Sequence, residues 1–197
     1  MREDLRQRAL FLRTMLRHPR QVGAVWPTSD RAVSDLLDLA DFDEARTVLE
    51  FGAGTGVYTR QIISRLRPDG RFLSFELDPD LASTVSGRFA DPRLRLINDS
   101  AEHAESYLEG EKADVLVSSV PFTSLPAGLR EDLMRAARAS LKPGGRMLVL
   151  QYSKTVLPHL RRHFGPVRMR VSPINLPPAF LFACDNVNPL SSEESRA

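Results

Sequence analysis

The 197-residue chain has one cysteine, Cys184, so it can form no internal disulfide, and a reducing, cytoplasmic setting is expected. No run approaches the ~18 apolar residues that a membrane-spanning helix needs. The opening MREDLRQRAL carries charges where a signal peptide would have its apolar core. Internal repeats are missing. His159 and His163, four apart, have no nearby acid or cysteine at ligand spacing, His18 and His103 form no constellation, and no metal site is expected. No Ser-His-Asp arrangement stands out either. Acids are absent between Tyr152 and Cys184, where Lys154, Arg161, Arg162, Arg168 and Arg170 all occur. Arg2, Arg6, Arg8, Arg13, Arg17 and Arg20 crowd the first segment against only Glu3 and Asp4. Two basic ends flanking an acidic centre suit an anionic partner surface, although the net charge is only +2.

What is present is an alternation of strand-like and helical segments, the pattern of a parallel sheet with helices on both faces. Ser29 or Asp30 caps a helix over RAVSDLLDLA, and the strand RTVLEF follows. Further strands are RFLSFEL, RLRLIN, ADVLVSS and MLVLQY, separated by helices that begin near Thr59, Pro79, Ala101 and Ala127. PVRMRVS and AFLFAC, joined by a Pro/Asn-rich link, read as a closing β-hairpin. The expected fold is α/β and Rossmann-like, with a seven-stranded, mostly parallel sheet whose last strand is antiparallel. Residues 1–25 are expected to form a basic amphipathic helix, for membrane contact or as a lid, 26–187 the α/β domain, and 188–197 a polar, disordered tail.

The strongest local signal is Val48-Leu49-Glu50-Phe51-Gly52-Ala53-Gly54-Thr55-Gly56, an apolar strand entering a glycine turn that opens a helix. Such a turn lets backbone approach a ligand where no Cβ would fit. Val57 stands where a dinucleotide site would carry its further glycine. Glu76 ends the second strand, 20 residues past Gly56, where a carboxylate can accept from both hydroxyls of a ribose. Asp99 ends the third strand, placed for an adenine amino group, and Glu50 is suited to an ammonium. These features together point to S-adenosylmethionine, with S-adenosylhomocysteine as product, rather than to a dinucleotide.

EFGAGTGVYTR, SFELDPD, NDSAE and LKPGGRMLVL resemble the successive motifs of class I methyltransferases over nearly the whole chain. More narrowly, FLRTMLRHPRQVGAVWPTSDRAV, VLVSSVPFTSLP and INLPPAFLF resemble the bacterial phospholipid N-methyltransferases of the soluble, peripheral type. Val22 to Ser29, Val117-Ser118-Ser119-Val120-Pro121 and Asn175-Leu176-Pro177-Pro178 match that family's segments residue by residue. The chain departs from the pattern at Ala53, often Pro, at Leu77, often Tyr, and at Phe122-Thr123-Ser124. The last departure lies near the expected acceptor pocket. The resemblance implies stepwise methylation of the phosphatidylethanolamine amine towards phosphatidylcholine. It implies a cofactor set of Thr28, Ser29, Glu50, Gly52, Gly54, Thr55, Gly56, Glu76, Leu77, Asp99, Ser100 and Ser118.

Methyl transfer from a sulfonium asks mainly for positioning and exclusion of water. Ser119 and Phe122, at the fourth-strand exit, and Tyr152, at the end of the fifth, are the candidate catalytic residues. Leu5, Ala9, Leu12 and Leu16 share one helical face, with Arg6, Arg13, Arg17 and Arg20 alongside. With Trp26 and Lys154, they suit peripheral contact with an anionic membrane on its inner face. Ser119-Val120-Pro121-Phe122 also resembles the N-L-P-Y/F of ribosomal adenine dimethylases, with Ser in place of Asn, and nucleic acid is not the expected partner. The same residues would also serve a small-molecule N- or O-methyltransferase, or a module that binds the cofactor without catalysis.

Overall fold

The computed structural model describes residues 29–173 and 177–187. The expected N-terminal helix, with Arg6, Arg13, Arg17, Arg20 and Trp26, lies outside the described residues. So do Thr28, Asn175, Leu176 and the expected tail.

Seven strands form one sheet: β1 (Thr47–Phe51), β2 (Arg71–Phe75), β3 (Leu94–Ile97), β4 (Ala113–Ser118), β5 (Leu141–Gln151), β6 (Val167–Ser172) and β7 (Ala179–Asp185). Their spatial order is β3-β2-β1-β4-β5-β7-β6. β7 runs antiparallel to both β5 and β6, and the pairings among the first five strands are parallel. Every residue of β1 is buried, as a central parallel strand covered on both faces requires.

Period two divides the strand side chains between two cores. On one face Leu49, Phe51, Phe75, Leu116 and Val149 pack with Leu129, Leu133 and Met134 of α4 (Ala127–Ser140) and with Leu160 and Phe164 of α5 (Leu157–Phe164). On the other, Val48, Phe72, Val117 and Leu150 pack with Leu36 of α1 (Asp30–Leu37) and with Tyr58 and Ile62 of α2 (Val57–Arg65). A further helix, α3 (Pro79–Arg88), opens on Asp78, whose carboxylate accepts from the Asp80 and Leu81 amides. Residues Ala101–Leu108, expected to be helical, form a 3₁₀ helix capped by Ser100.

The strand order reverses between β1 and β4, since the chain builds outward from β1 to β3 on one side and from β4 on the other. In such sheets the carboxyl ends of the strands at this reversal leave a crevice, because the two crossover connections diverge there. The glycine turn, Glu76, Asp99 and Ser119 all follow strands at that edge. Among the described residues no helix is long and apolar enough to cross a membrane.

Candidate active site

The glycine turn is shaped by what lies behind it. Gly52 and Ala53 both donate to the Phe75 carbonyl, at 2.9 and 3.0 Å, which lashes the end of β1 to the end of β2. Gly52 has φ 85°, and a Cβ there would stand 2.9 Å from Ser119 Oγ, so a side chain is barred by both backbone and space. Gly54 also lies in the left-handed region, at φ 55°, but a Cβ on it would meet nothing within 4 Å among the described residues. The protein keeps open space at Gly54 where its own packing does not demand glycine.

Gly54→Ala therefore separates the two roles. A left-handed alanine costs roughly 1–2 kcal/mol, so the denaturation midpoint should fall modestly. Calorimetry should show a much larger loss of S-adenosylhomocysteine affinity, about 30-fold or more, if backbone approach at this point is what the ligand uses. An affinity that changes no more than the stability does would assign Gly54 to the fold alone.

Glu76 is 1 % exposed, and its two oxygens receive the Gly54 amide at 2.8 Å and the Asp78 amide at 2.9 Å. Burial pushes its carboxyl above the usual range, although these backbone donors favour the charged form. Asn98, for which the sequence pattern carries no signal, donates to the Glu76 and Leu77 carbonyls and holds this exit in place. Asp99 accepts from Tyr107 Oη at 2.8 Å and from the Ser100 amide at 2.7 Å, with His103 Nδ1 3.1 Å away. Burial pushes Asp99 up, but the Tyr107, Ser100 and His103 contacts outweigh it and hold this carboxyl below the ordinary value. Gly52, Glu76, Leu77, Asp99, Ser100 and Val120 line one cleft at this edge. An acidic acceptor at each of two strand ends beside an open glycine backbone fits a ribose and an adenine. The residues present therefore fit the expected cofactor. Thr55 is exposed at the turn's crest, while Gly56 starts α2 and Ser29 caps α1, accepting from the Ala32 amide.

Two expectations require correction. Glu50, expected on an ammonium, is sealed beneath the turn. Its Oε2 accepts from Thr59 Oγ1 at 2.7 Å and Ser74 Oγ at 2.6 Å, tying β1 to α2 and β2, and Oε1 is buried with no partner among the described residues. Burial raises its pKa to about 7 against the lowering effect of those hydroxyls. Phe122, expected beside the acceptor, points into the α4–α5 core and is 0 % exposed. A ring following a strand exit through Val120-Pro121 is drawn inward because its apolar area is worth more there than at a wet rim.

The other β4-exit residues do gather at the edge. Ser118 Oγ accepts from the Val120 amide, and Ser119 Oγ donates to the Gly52 carbonyl at 2.6 Å, joining the β4 exit to the glycine turn. The Ser119 proton is thereby spent and its lone pairs remain. Tyr152 is half-buried and packs on the α1–α2 side. Lys154 is exposed, with Nζ 5.1 Å from the centroid of the Phe180 ring. Gln151, which precedes Tyr152 and was not anticipated, is buried and donates to the Val120 carbonyl. The available signal was a lone amide on the core-facing register of MLVLQ.

His163 and His159 of α5 both face Glu131 of α4, with Nε2 of His163 2.8 Å from Oε2. Among the described residues no cluster of three or more His, Cys, Asp or Glu could hold a metal ion. Cys184 is buried, and burial pushes its thiol up to about 12.

Residues 48–145 match a family model described as a methyltransferase domain. An ornithine lipid N-methyltransferase of Singulisphaera acidiphila is 32% identical over 183 residues, covering 90% of this chain and 95% of that protein. A ribosomal RNA small subunit methyltransferase A from Synechococcus is 26% identical over 173 residues, and the match spans 60% of its length. Among solved structures, the N-methyltransferase NodS of Bradyrhizobium japonicum, in complex with S-adenosyl-L-homocysteine, superposes with a TM-score of 0.65. It is 14% identical over 81% of this chain and 86% of its own. A SAM-dependent O-methyltransferase of Thermotoga maritima gives 0.63 at 13% identity, over 88% and 71%.

Proposed function

We propose, from the premise that this chain belongs to the class I S-adenosylmethionine-dependent methyltransferases, that it methylates the primary amine of a membrane-lipid headgroup. The observation that carries this reading is the likeness to a lipid N-methyltransferase along almost the full length of both chains. Phosphatidylethanolamine and an ornithine-headed lipid share the relevant chemistry, an amine carried near an anionic group.

Bound adenosylmethionine supplies a methyl group already activated by the positive sulfur, which leaves with the S–C bonding pair as the amine lone pair takes its place. Glu76 would hold the ribose, Asp99 and Ser100 the adenine end, and the Gly52–Gly54 backbone the methionine portion. Ser119 and Gln151 offer oxygen acceptors at the β4 and β5 ends for the hydrogens of an incoming amine. A primary amine titrates near ~10 in water, and partial burial at this edge lowers that value by disfavouring the ammonium. No strong base is then required, and transfer should accelerate with rising pH until the amine is neutral.

Lys154 sits at the same strand end, suited to the headgroup's anion. Val171, 48 % exposed, and Met169, 39 % exposed, add apolar surface on β6. The peripheral inner-membrane setting and the basic N-terminal segment belong to this proposal.

The ribosomal relatives favour a second reading, adenine methylation in RNA. Against it stands Ser119, which replaces the motif's Asn and has its hydroxyl proton committed to Gly52. The deciding experiment gives methyl-labelled adenosylmethionine and one of four acceptors: phosphatidylethanolamine liposomes, ornithine-lipid liposomes, ribosomal RNA, or free ethanolamine. Label extracted with either lipid supports the proposal and identifies the headgroup. Label found in RNA or ethanolamine alone refutes it.

A further inference from the structure

Gln151 ends β5 on the same side of the sheet as Met147 and Val149, both part of the apolar core. Burying a carboxamide among apolar side chains is costly unless its hydrogen bonds are made. Its amino group makes two, to the Val120 carbonyl at 2.9 Å and to its neighbour Leu150's carbonyl at 2.8 Å. Both partners are pure acceptors, so the nitrogen must face them and the orientation of the amide is fixed. Both N–H donors are consumed, and no donor among the described residues reaches the carboxamide oxygen. Gln151 itself is 5 % exposed, so its carboxamide stands at a strand end nearly closed to water. Val120, the residue that Gln151 grips, lines the cleft beside Gly52 and Glu76.

We infer that Gln151 determines how many methyl groups the acceptor receives, because its carboxamide oxygen accepts a hydrogen bond from the acceptor nitrogen. The inference rests on the amine reading above. A neutral primary amine has two N–H bonds and a secondary amine has one. A tertiary amine has none. In each round the nitrogen lone pair forms the new N–C bond as the methyl–sulfur bond breaks, its electron pair staying on sulfur. After the first and second rounds the ammonium sheds one proton to solvent, so each of these rounds removes one donor, whereas the third, on a tertiary amine, gives a quaternary ammonium with no proton to lose. The Gln151 oxygen thus finds a partner in the first and second rounds but not the third. The second contact, to the Val120 carbonyl, positions the β4 exit and serves all three rounds alike.

This difference makes the two roles separable. Liposomes containing phosphatidylethanolamine, its monomethyl or its dimethyl derivative are each offered to the wild type and to Gln151→Met, which keeps the length but neither accepts nor donates comparably. The inference expects kcat/KM of Gln151→Met to fall about tenfold further for the first two lipids than for the dimethyl lipid, in line with one hydrogen bond lost at the nitrogen. Wild type should be slowest on the dimethyl lipid, and the variant should lose most of that preference. S-adenosylhomocysteine affinity should be unchanged within about twofold. Equal loss on all three lipids makes Gln151 a clamp on the β4 exit and overturns the inference.

Gln151→Glu guards against a variant that fails to fold. It retains an oxygen acceptor while turning a carboxylate against two carbonyls. It should be slower on every lipid yet keep the preference for N–H-bearing amines, with its pH profile displaced upward because an anion favours the ammonium. Loss of the preference in Gln151→Glu overturns the inference. Wild type that transfers to none of the three phospholipids or to ornithine lipid overturns the lipid-amine reading itself, and this inference with it.

Discussion

Replacing Glu76 with alanine should weaken S-adenosylhomocysteine binding by about 100-fold or more, read by calorimetry. Hydrogen bonds to a charged group contribute about 1.5–3 kcal/mol each, and two ribose hydroxyls would lose theirs together. The same oxygens receive the Gly54 and Asp78 amides, so the glycine turn would also lose its anchor to the end of β2. Glu76→Gln keeps one acceptor oxygen and puts an amino group against backbone donors. It should fall between, about tenfold down. Full affinity in both variants would remove Glu76 from the cofactor site.

The second large effect concerns stability and follows from the burial of Glu50. Its pKa is raised from 4.5 to about 7 in the folded chain, so the fold binds a proton more tightly than the unfolded state does. The contribution is fully favourable below the unfolded value and is lost as pH rises through the folded one. The window is therefore about pH 4.5 to 7, and a shift of this size is worth roughly 3 kcal/mol. Urea unfolding of the wild type should show stability falling across that window. Glu50→Gln, which does not titrate, should remove most of that slope, whatever its stability at any single pH. An unchanged slope in Glu50→Gln would place the titrating group elsewhere. Carboxylates with lowered values, such as Asp114, which burial pushes up but Lys142 and the Thr47 and Arg46 amides pull down, act at lower pH and in the opposite sense. Their stability is present above the ordinary value and lost as pH falls, so they do not mimic the Glu50 effect.

The fold was legible because its elements carry redundant signals. β1 is an apolar run ended by glycines, α3 begins with Asp78 and Pro79, and the β6–β7 hairpin is marked by prolines. Pattern alone could not show that Ala101–Leu108 winds as a 3₁₀ helix, since its residues suit either helix. At the candidate site, the spacing of Glu76, Asp99 and Gly54 places them at strand ends in the sequence, and the structure sets them at one edge of the sheet. Glu50 and Phe122 were placed at the correct chain positions but given the wrong surroundings. Whether a side chain at a strand end turns to the cleft or under the turn depends on partners far away in sequence. Thr59 and Ser74 draw Glu50 beneath the turn, and α4 and α5 enclose Phe122. Gln151 carries no such signal in the sequence, because its contact with Val120 exists only once β4 and β5 lie side by side.

Whether the carboxyl edge of β1, β2 and β3 holds adenosylmethionine is decided by a crystal structure of the complex with S-adenosylhomocysteine. Ribose hydroxyls are expected on Glu76, the adenine beside Asp99 and Ser100, and the amino-acid portion along Gly52 and Gly54. A ligand seated instead in the wider groove at the opposite end of the sheet, among Asp38, Arg65, Arg67 and Arg146, would contradict it.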